Sequence, residues 1–315
     1  MNEFNDKVSL MQENELDFFE IFQIFLDNKK KLFTVTILIS FITAGYTLTL
    51  SNSYTSSALL QTSTDSRSGL SKLNQYSGLA SMAGVSLPGS DDVNSTDYVI
   101  ALVSSKNFFK DVLTKYEDLL PAIMASDGYN KKNKKIIYNK KIYLDGKWIE
   151  SDGYMGFFSK EKPTYLQAYR VFKKNILSIS KDKETGFINI SITHHSPVFA
   201  KGLLDLIVNY VNELEKDKDL KKADRSLKFL NIEAAKSNIL ATQDAITDLI
   251  SENLNIKMLA NTSDSYLIEI LDSPFYPDLK TGPKRSLIVI ASGLIAFIFY
   301  YFYLILRHFK SKNIK

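Results

Sequence analysis

No cysteine occurs among the 315 residues, so disulfide staples, thiolate metal sites and cysteine nucleophiles are excluded. Histidine is scarce as well. Two of the three histidines, His194 and His195, are adjacent on a segment that reads as extended, so they point in opposite directions and do not share one metal. No Ser-His-Asp set, catalytic carboxylate pair or glycine-rich phosphate loop stands out. GPKRS at 282–286 lacks the G-x-x-x-x-G-K spacing of a nucleotide loop. A net charge of +4 gives no nucleic-acid footprint. These absences argue against an enzyme, and they imply neither a cofactor nor a nucleic-acid partner.

Charge is missing altogether from two runs, Leu32–Leu50 and Ser286–Leu306. Each is roughly 20 residues long, enough at about 1.5 Å per residue to cross a ~30 Å hydrocarbon core. Only a helix satisfies its own backbone there, so both read as membrane spans rather than as core helices of a soluble protein. Lys29, Lys30 and Lys31 precede the first span, and Arg307, Lys310, Lys312 and Lys315 follow the second. Short basic flanks stay cytoplasmic, which predicts cytoplasmic tails at 1–31 and 307–315, spans at 32–50 and 286–306, and a periplasmic domain at 51–285. The aromatic cluster from Phe297 to Tyr303 suits a headgroup boundary. The first span follows an acidic segment and lacks an A-x-A site, so a retained anchor is expected.

Within the central domain, Tyr54–Thr62 reads as a strand and 63–96 as a Ser/Gly/Asn-rich loop region. Asp97–Tyr116 has helical spacing broken at Ser104-Ser105, with Ser105 capping the second helix. The polar stretch 121–162 holds Lys131, Lys132, Lys134, Lys135, Lys140 and Lys141. This run is either a solvated loop or hairpin edge, or a contact for an anionic glycan or phospholipid. Asp145-Gly146 is a hairpin turn signal, and 164–174 reads as a helix. Ile176–Ser180 and Phe187–Thr193 alternate like a pair of antiparallel strands.

Ser196-Pro197 opens the longest feature, with Ser196 as cap and Pro197 at the first helical position. A helix is expected over about 197–260, with one apolar stripe through Leu220, Ala223, Leu227, Leu230, Ala234 and Ala241. A second runs through Phe229, Ile232, Ile239, Ile246 and Ile250. One small domain cannot cover both, so the distal part is expected to project and to meet neighbouring chains. The competing picture breaks the helix at Lys216–Lys222 into a hairpin. Tyr266–Leu271 then reads as a returning strand. Pro274, Pro277 and Pro283, leading to Lys284 and Arg285, form a stiff extended approach to the second span. On a plainer reading these prolines only stop one element and start the next. Gly293 with Ser292 and Ala296, and Ser40 with Ala44, would let the spans approach closely.

Four segments resemble the Wzz family of polysaccharide co-polymerases, the chain-length determinants of O-antigen and related glycans. They are ELDFFEIFQIFLDNKKKL at 15–32, GLASMAG at 78–84 with DYVIALVSSKNFFKDVL at 97–113, HHSPVFAKGLLDLIVNYVNELE at 194–215, and PFYPDLKTGPKRSLIV at 274–289. The helix start at Ser196, Pro197 and Ala200 and the Pro-rich approach match the family's pattern. The second span is poorer in glycine, and the Pro277–Pro283 spacing is wider.

The resemblance implies an α/β periplasmic domain with a long protruding helix, anchored in the inner membrane by two transmembrane helices. It implies a homo-oligomer, and the uncovered apolar stripe puts the distal-helix face at Leu220, Leu227, Leu230 and Ala234 among its expected contacts. It also implies no chemistry of its own. Its partners would be a separate integral-membrane glycan polymerase, the nascent lipid-linked glycan and membrane lipid. The alternative function is a two-span ligand sensor or export adaptor. The 31 and nine residues outside the spans leave a sensor no output module.

Overall fold

The computed structural model describes residues 18–63, 95–149, 162–236, 240–263 and 265–312. They form two compact units: residues up to Ser51 together with those from Gly282, and Asn52–Thr281. The expected domain 51–285 differs from the second unit by only a few residues.

The first unit is a pair of long helices, α1 (Phe18–Thr49) and α8 (Arg285–Lys312). Helix α1 starts well before the charge-free run and carries Lys29–Lys31 within it, because charge does not stop a helix where no breaker intervenes.

In the second unit, β1 (Tyr54–Thr62) leads through undescribed residues to α2 (Ser95–Val103), α3 (Lys106–Lys115) and α4 (Leu119–Ala125). The break at Ser104-Ser105 is present, and the Ser105 hydroxyl accepts from the Phe108 amide at 3.1 Å. Helix α4 occupies the start of the stretch read as polar; Pro121 sits in its first turn, where its missing N–H costs nothing. Two small hairpins follow, β2 (Ser126–Asn130) with β3 (Lys135–Tyr138), and β4 (Tyr143–Leu144) with β5 (Lys147–Trp148). The second turns at Asp145-Gly146, both at positive φ, as its sequence predicts.

Helix α5 (Tyr165–Val171) opens on a Thr164–Gln167 capping box and runs into a wide π-type turn at Phe172–Ile176, so the α-helix is shorter than the expected 164–174. Strands β6 (Leu177–Lys181) and β7 (Ile188–His194) and the late strand β8 (Ile268–Asp272) complete an antiparallel sheet ordered β6-β7-β1-β8. Tyr54 stands opposite His194, and Leu60 opposite Ile188.

Alternation decides which face of this sheet is covered. Tyr54, Ser56, Ala58 and Leu60 on β1, with Ile188, Ile190, Ile192 and His194 on β7, all face inward. The helix α6 (Pro197–Lys236) lies across them, burying Ala200, Leu203, Leu204, Ile207, Val208 and Val211. Each fully buried aliphatic side chain stabilises by about 2 kcal/mol relative to exposure, so this stripe holds the helix on the sheet. The other face carries Thr55, Ser57, Ser191 and Thr193, and the Thr55 and Thr193 hydroxyls lie 2.9 Å apart.

The single helix expected over 197–260 is corrected. Helix α6 ends at Lys236, and α7 (Leu240–Thr262) runs back along it. Lys257 pairs with Asp224 at 2.7 Å, whereas an unbroken helix would separate them by about 50 Å. The reversal falls some 15 residues beyond Lys216–Lys222. Ser237-Asn238 lies between the two helices in sequence, and both types favour caps over helix interiors.

Candidate functional site

In the helix pair, α1 and α8 meet through small residues at one level and aromatics at another. A Cβ on Gly293 would lie 2.7 Å from the Ser40 Oγ, so the sequence reading of close approach at these positions holds. Phe25 packs edge-on to Tyr301 at 6.1 Å, and the Tyr301 hydroxyl donates to the Ile21 carbonyl at 2.8 Å. Arg285 Nη2 donates to the Leu50 carbonyl at 3.0 Å. Both helices are long and apolar enough to cross a membrane, and their most apolar stretches are mostly exposed. Gly293→Ala is expected to be tolerated, because the Ser40 hydroxyl can rotate away. Gly293→Leu should lower the thermal midpoint of the micelle-solubilised protein by several degrees, since the helices must separate.

The approach to the second span is not a free stalk in its first part. Pro274 and Pro277 are buried, and Pro283 is half-buried. The Ser56 hydroxyl donates to the Phe275 carbonyl at 2.7 Å, the Thr281 amide donates to the Ser53 carbonyl at 2.8 Å, and the Thr55 amide donates to the Thr281 hydroxyl at 3.1 Å. Prolines suit this place because they keep the chain extended without asking for a hydrogen-bond acceptor. Tyr276 Oη lies 3.4 Å from Tyr129 Oη, the Tyr129 ring meets Tyr54 edge-on at 6.5 Å, and Lys131 Nζ sits 5.6 Å from the centre of the Tyr54 ring. Burial, and then the Tyr276 hydroxyl, push the Tyr129 phenol up to about 12. Sequence reading missed this tyrosine cluster, because nothing local ties residues 54, 129 and 276 together.

At the helix start, the Ser196 hydroxyl accepts from the Phe199 amide at 3.2 Å, and Pro197 and Ala200 are buried beneath it, as the cap reading predicts. His194 beside it is structural. Its Nδ1 accepts from the Ser196 amide at 3.0 Å, which leaves the proton on Nε2, 3.0 Å from the Ala122 carbonyl. His195 Nδ1 contacts the Asn52 carbonyl at 2.9 Å. Among the described residues, no group of His, Asp and Glu could hold a metal ion.

Asn212 on α6 fixes the entry to β8. Its Oδ1 accepts from the Leu267 and Ile268 amides at 2.8 and 2.9 Å, and its Nδ2 donates to the Ile268 carbonyl at 2.9 Å. One turn on, buried Glu215 accepts from Tyr98 at 2.7 Å and pairs with Lys218, joining α2 to α6.

The distal face expected to meet neighbours is largely covered within the chain. Leu230 is buried, and Leu220, Leu227 and Ala234 are half-buried on the side of α6 that also buries Ala223 and faces α7. Phe229 and Ile232 lie on the opposite side of the helix, 63% and 49% exposed. The first expected stripe is thus covered as far as Ala234, whereas the second does not stay on one face: Phe229 and Ile232 are exposed on α6, and Ile246 is buried on α7.

Two long apolar helices flanking an α/β unit define the class: a membrane-anchored protein of two candidate spans. The model of the family described as Wzz, chain length determinant protein, matches residues 14–115, a stretch that takes in helix α1 and ends with helix α3. GLASMAG at 78–84, within that match, lies outside the described residues. No curated protein sequence matches the chain.

Among solved structures, a full-length bacterial polysaccharide co-polymerase aligns over 94% of this chain and 99% of its own, at 12% identity and a TM-score of 0.38. A fragment of WzzB, a polysaccharide co-polymerase from Salmonella Typhimurium, aligns over 73% of this chain and all of its own, at 11% identity and a TM-score of 0.29. At those scores neither likeness bears on function.

Proposed function

We propose that this chain is a non-enzymatic regulator of polysaccharide chain length, an oligomeric inner-membrane co-polymerase acting on a separate glycan polymerase. The observation that carries the reading is the Wzz-family match over 14–115, in a chain whose two apolar helices flank an α/β unit. In this reading both tails are cytoplasmic and the unit between the spans is periplasmic, near the lipid-linked glycan. The basic flanks Lys29–Lys31 and Arg307–Lys312 support that orientation.

Deleting the gene in a strain that makes the glycan should leave polymer synthesis intact. The length distribution, resolved by gel electrophoresis of surface glycan, should lose its preferred length. An unchanged distribution would overturn the reading, and loss of all polymer would point to an export role instead.

The Pro-rich approach is proposed to set the angle between spans and base. Pro274→Ala with Pro277→Ala removes both stiffness and two buried rings, so a stability loss of about 1–2 kcal/mol is expected. The glycan should shorten or lose its preferred length at normal protein level. An unaltered distribution would remove this segment from the mechanism.

A further inference from the structure

We propose that the β2–β3 hairpin and the chain around Tyr276 form a docking surface for the anionic headgroups of the bilayer that the two flanking helices enter. Between Ser126 and Ile149 there are seven lysines against two aspartates, and four of them, Lys131, Lys132, Lys134 and Lys135, crowd the β2–β3 turn. All four are exposed, and among the described residues none of the seven is in an ion pair.

Position separates this hairpin from an ordinary solvated loop. Lys131 lies over Tyr54, and Tyr129 touches Tyr276, so the hairpin is pinned to both strands of chain that run to the membrane helices. Tyr54 is five residues past Thr49, the last residue of α1, so covalent reach alone keeps it within about 17 Å of the helix end. Leu279 is six residues before Arg285, within about 20 Å of the start of α8 by the same measure.

The neighbouring surface is amphipathic in the way a headgroup layer demands. Leu279 is 84% exposed, and Phe275, Tyr276 and Ile137 are exposed as well, while the hairpin's lysine charges act over a Debye length of about 8 Å. A soluble polyanion would use the lysines but gives no reason for an exposed leucine so near a membrane helix. This inference goes beyond chain-length control and does not depend on it.

Because the chain has no cysteine, Asn133→Cys at the turn supplies a single thiol for a fluorophore. The full-length protein is reconstituted in nanodiscs of phosphatidylcholine alone, or with phosphatidylglycerol added, and quenching by a headgroup-borne nitroxide is read. Quenching should rise at least about two-fold with the anionic lipid and fall back at high salt. Lys131→Glu with Lys132→Glu and Lys135→Glu should also abolish the rise; Lys134, at positive φ, is left in place. Equal quenching in both discs would overturn the proposal. So would protection of the label by soluble polygalacturonate together with indifference to lipid, which would assign the surface to a polyanionic glycan. Should the triple variant fail to reach the membrane, the lipid and salt series on the labelled parent decides alone.

Discussion

In the proposed oligomer, Phe229→Asp combined with Ile232→Asp should convert the detergent-solubilised protein from a multimer to a monomer in sedimentation velocity while leaving it folded. Both side chains are on the solvent side of α6, at 63% and 49% exposure, so charge there costs the isolated fold little. A phenylalanine and an isoleucine left in water one turn apart are what a neighbouring copy would cover. Leu230→Asp should behave in the opposite way. Leu230 is 8% exposed against α7, and an unpaired carboxylate there should destabilise the helical hairpin by about 3 kcal/mol or more. That variant should lose helical circular dichroism and become protease-sensitive between Lys216 and Thr262. If instead Leu230→Asp dissociated a still-folded multimer and the outer pair did nothing, the assignment of the two faces would be reversed.

This division of faces marks where sequence reading stopped. Periodicity located both stripes, because one residue per 100° of rotation puts Ala223, Leu227 and Leu230 on one line and Phe229 and Ile232 on another. It could not say which stripe was covered, because that depends on α7 running back along α6. Neither proline nor glycine marks the reversal, only Ser-Asn, which is a weak signal.

Elements with strong local chemistry were legible. They include the Ser105 and Ser196 caps, the Asp145-Gly146 turn, and the alternation of β6 and β7. The Gly293–Ser40 approach was legible as well, because small residues at a helix interface have few other uses. The tyrosine cluster at 54, 129 and 276 and the Asn212 clamp on β8 were not, since each joins residues more than 50 apart with no local pattern. Helix α4 was hidden by Pro121, which reads as a breaker until its place in the first turn is known.

The stability of the unit between the spans should fall as the pH drops below neutrality, and His194 is the reason. Burial pushes its imidazole down to about 4 from an ordinary 6.5. Protonation would also turn Nδ1 into a donor facing the Ser196 amide, which already donates to it. The sign follows from the two values. Above pH 6.5 both folded and unfolded states hold a neutral ring, and the group adds no pH dependence. Between 6.5 and 4 the unfolded chain takes up a proton that the folded one refuses, so stability is lost as the pH falls through that window. The loss is about 2 kcal/mol by pH 5 and about 3 kcal/mol at pH 4.

Trp148, the only tryptophan, lies in this unit against Tyr143, so its fluorescence reports urea unfolding without interference from the helix pair. The parent's urea midpoint should fall steadily from pH 7 to pH 5, a range above most carboxylate titration. His194→Gln, which keeps a donor and an acceptor but cannot titrate, should start lower at pH 7 by about 1–2 kcal/mol and then stay nearly flat to pH 5. A parent midpoint that did not move over that range, or a variant that fell in parallel with it, would show that His194 is not the group that makes this unit acid-sensitive.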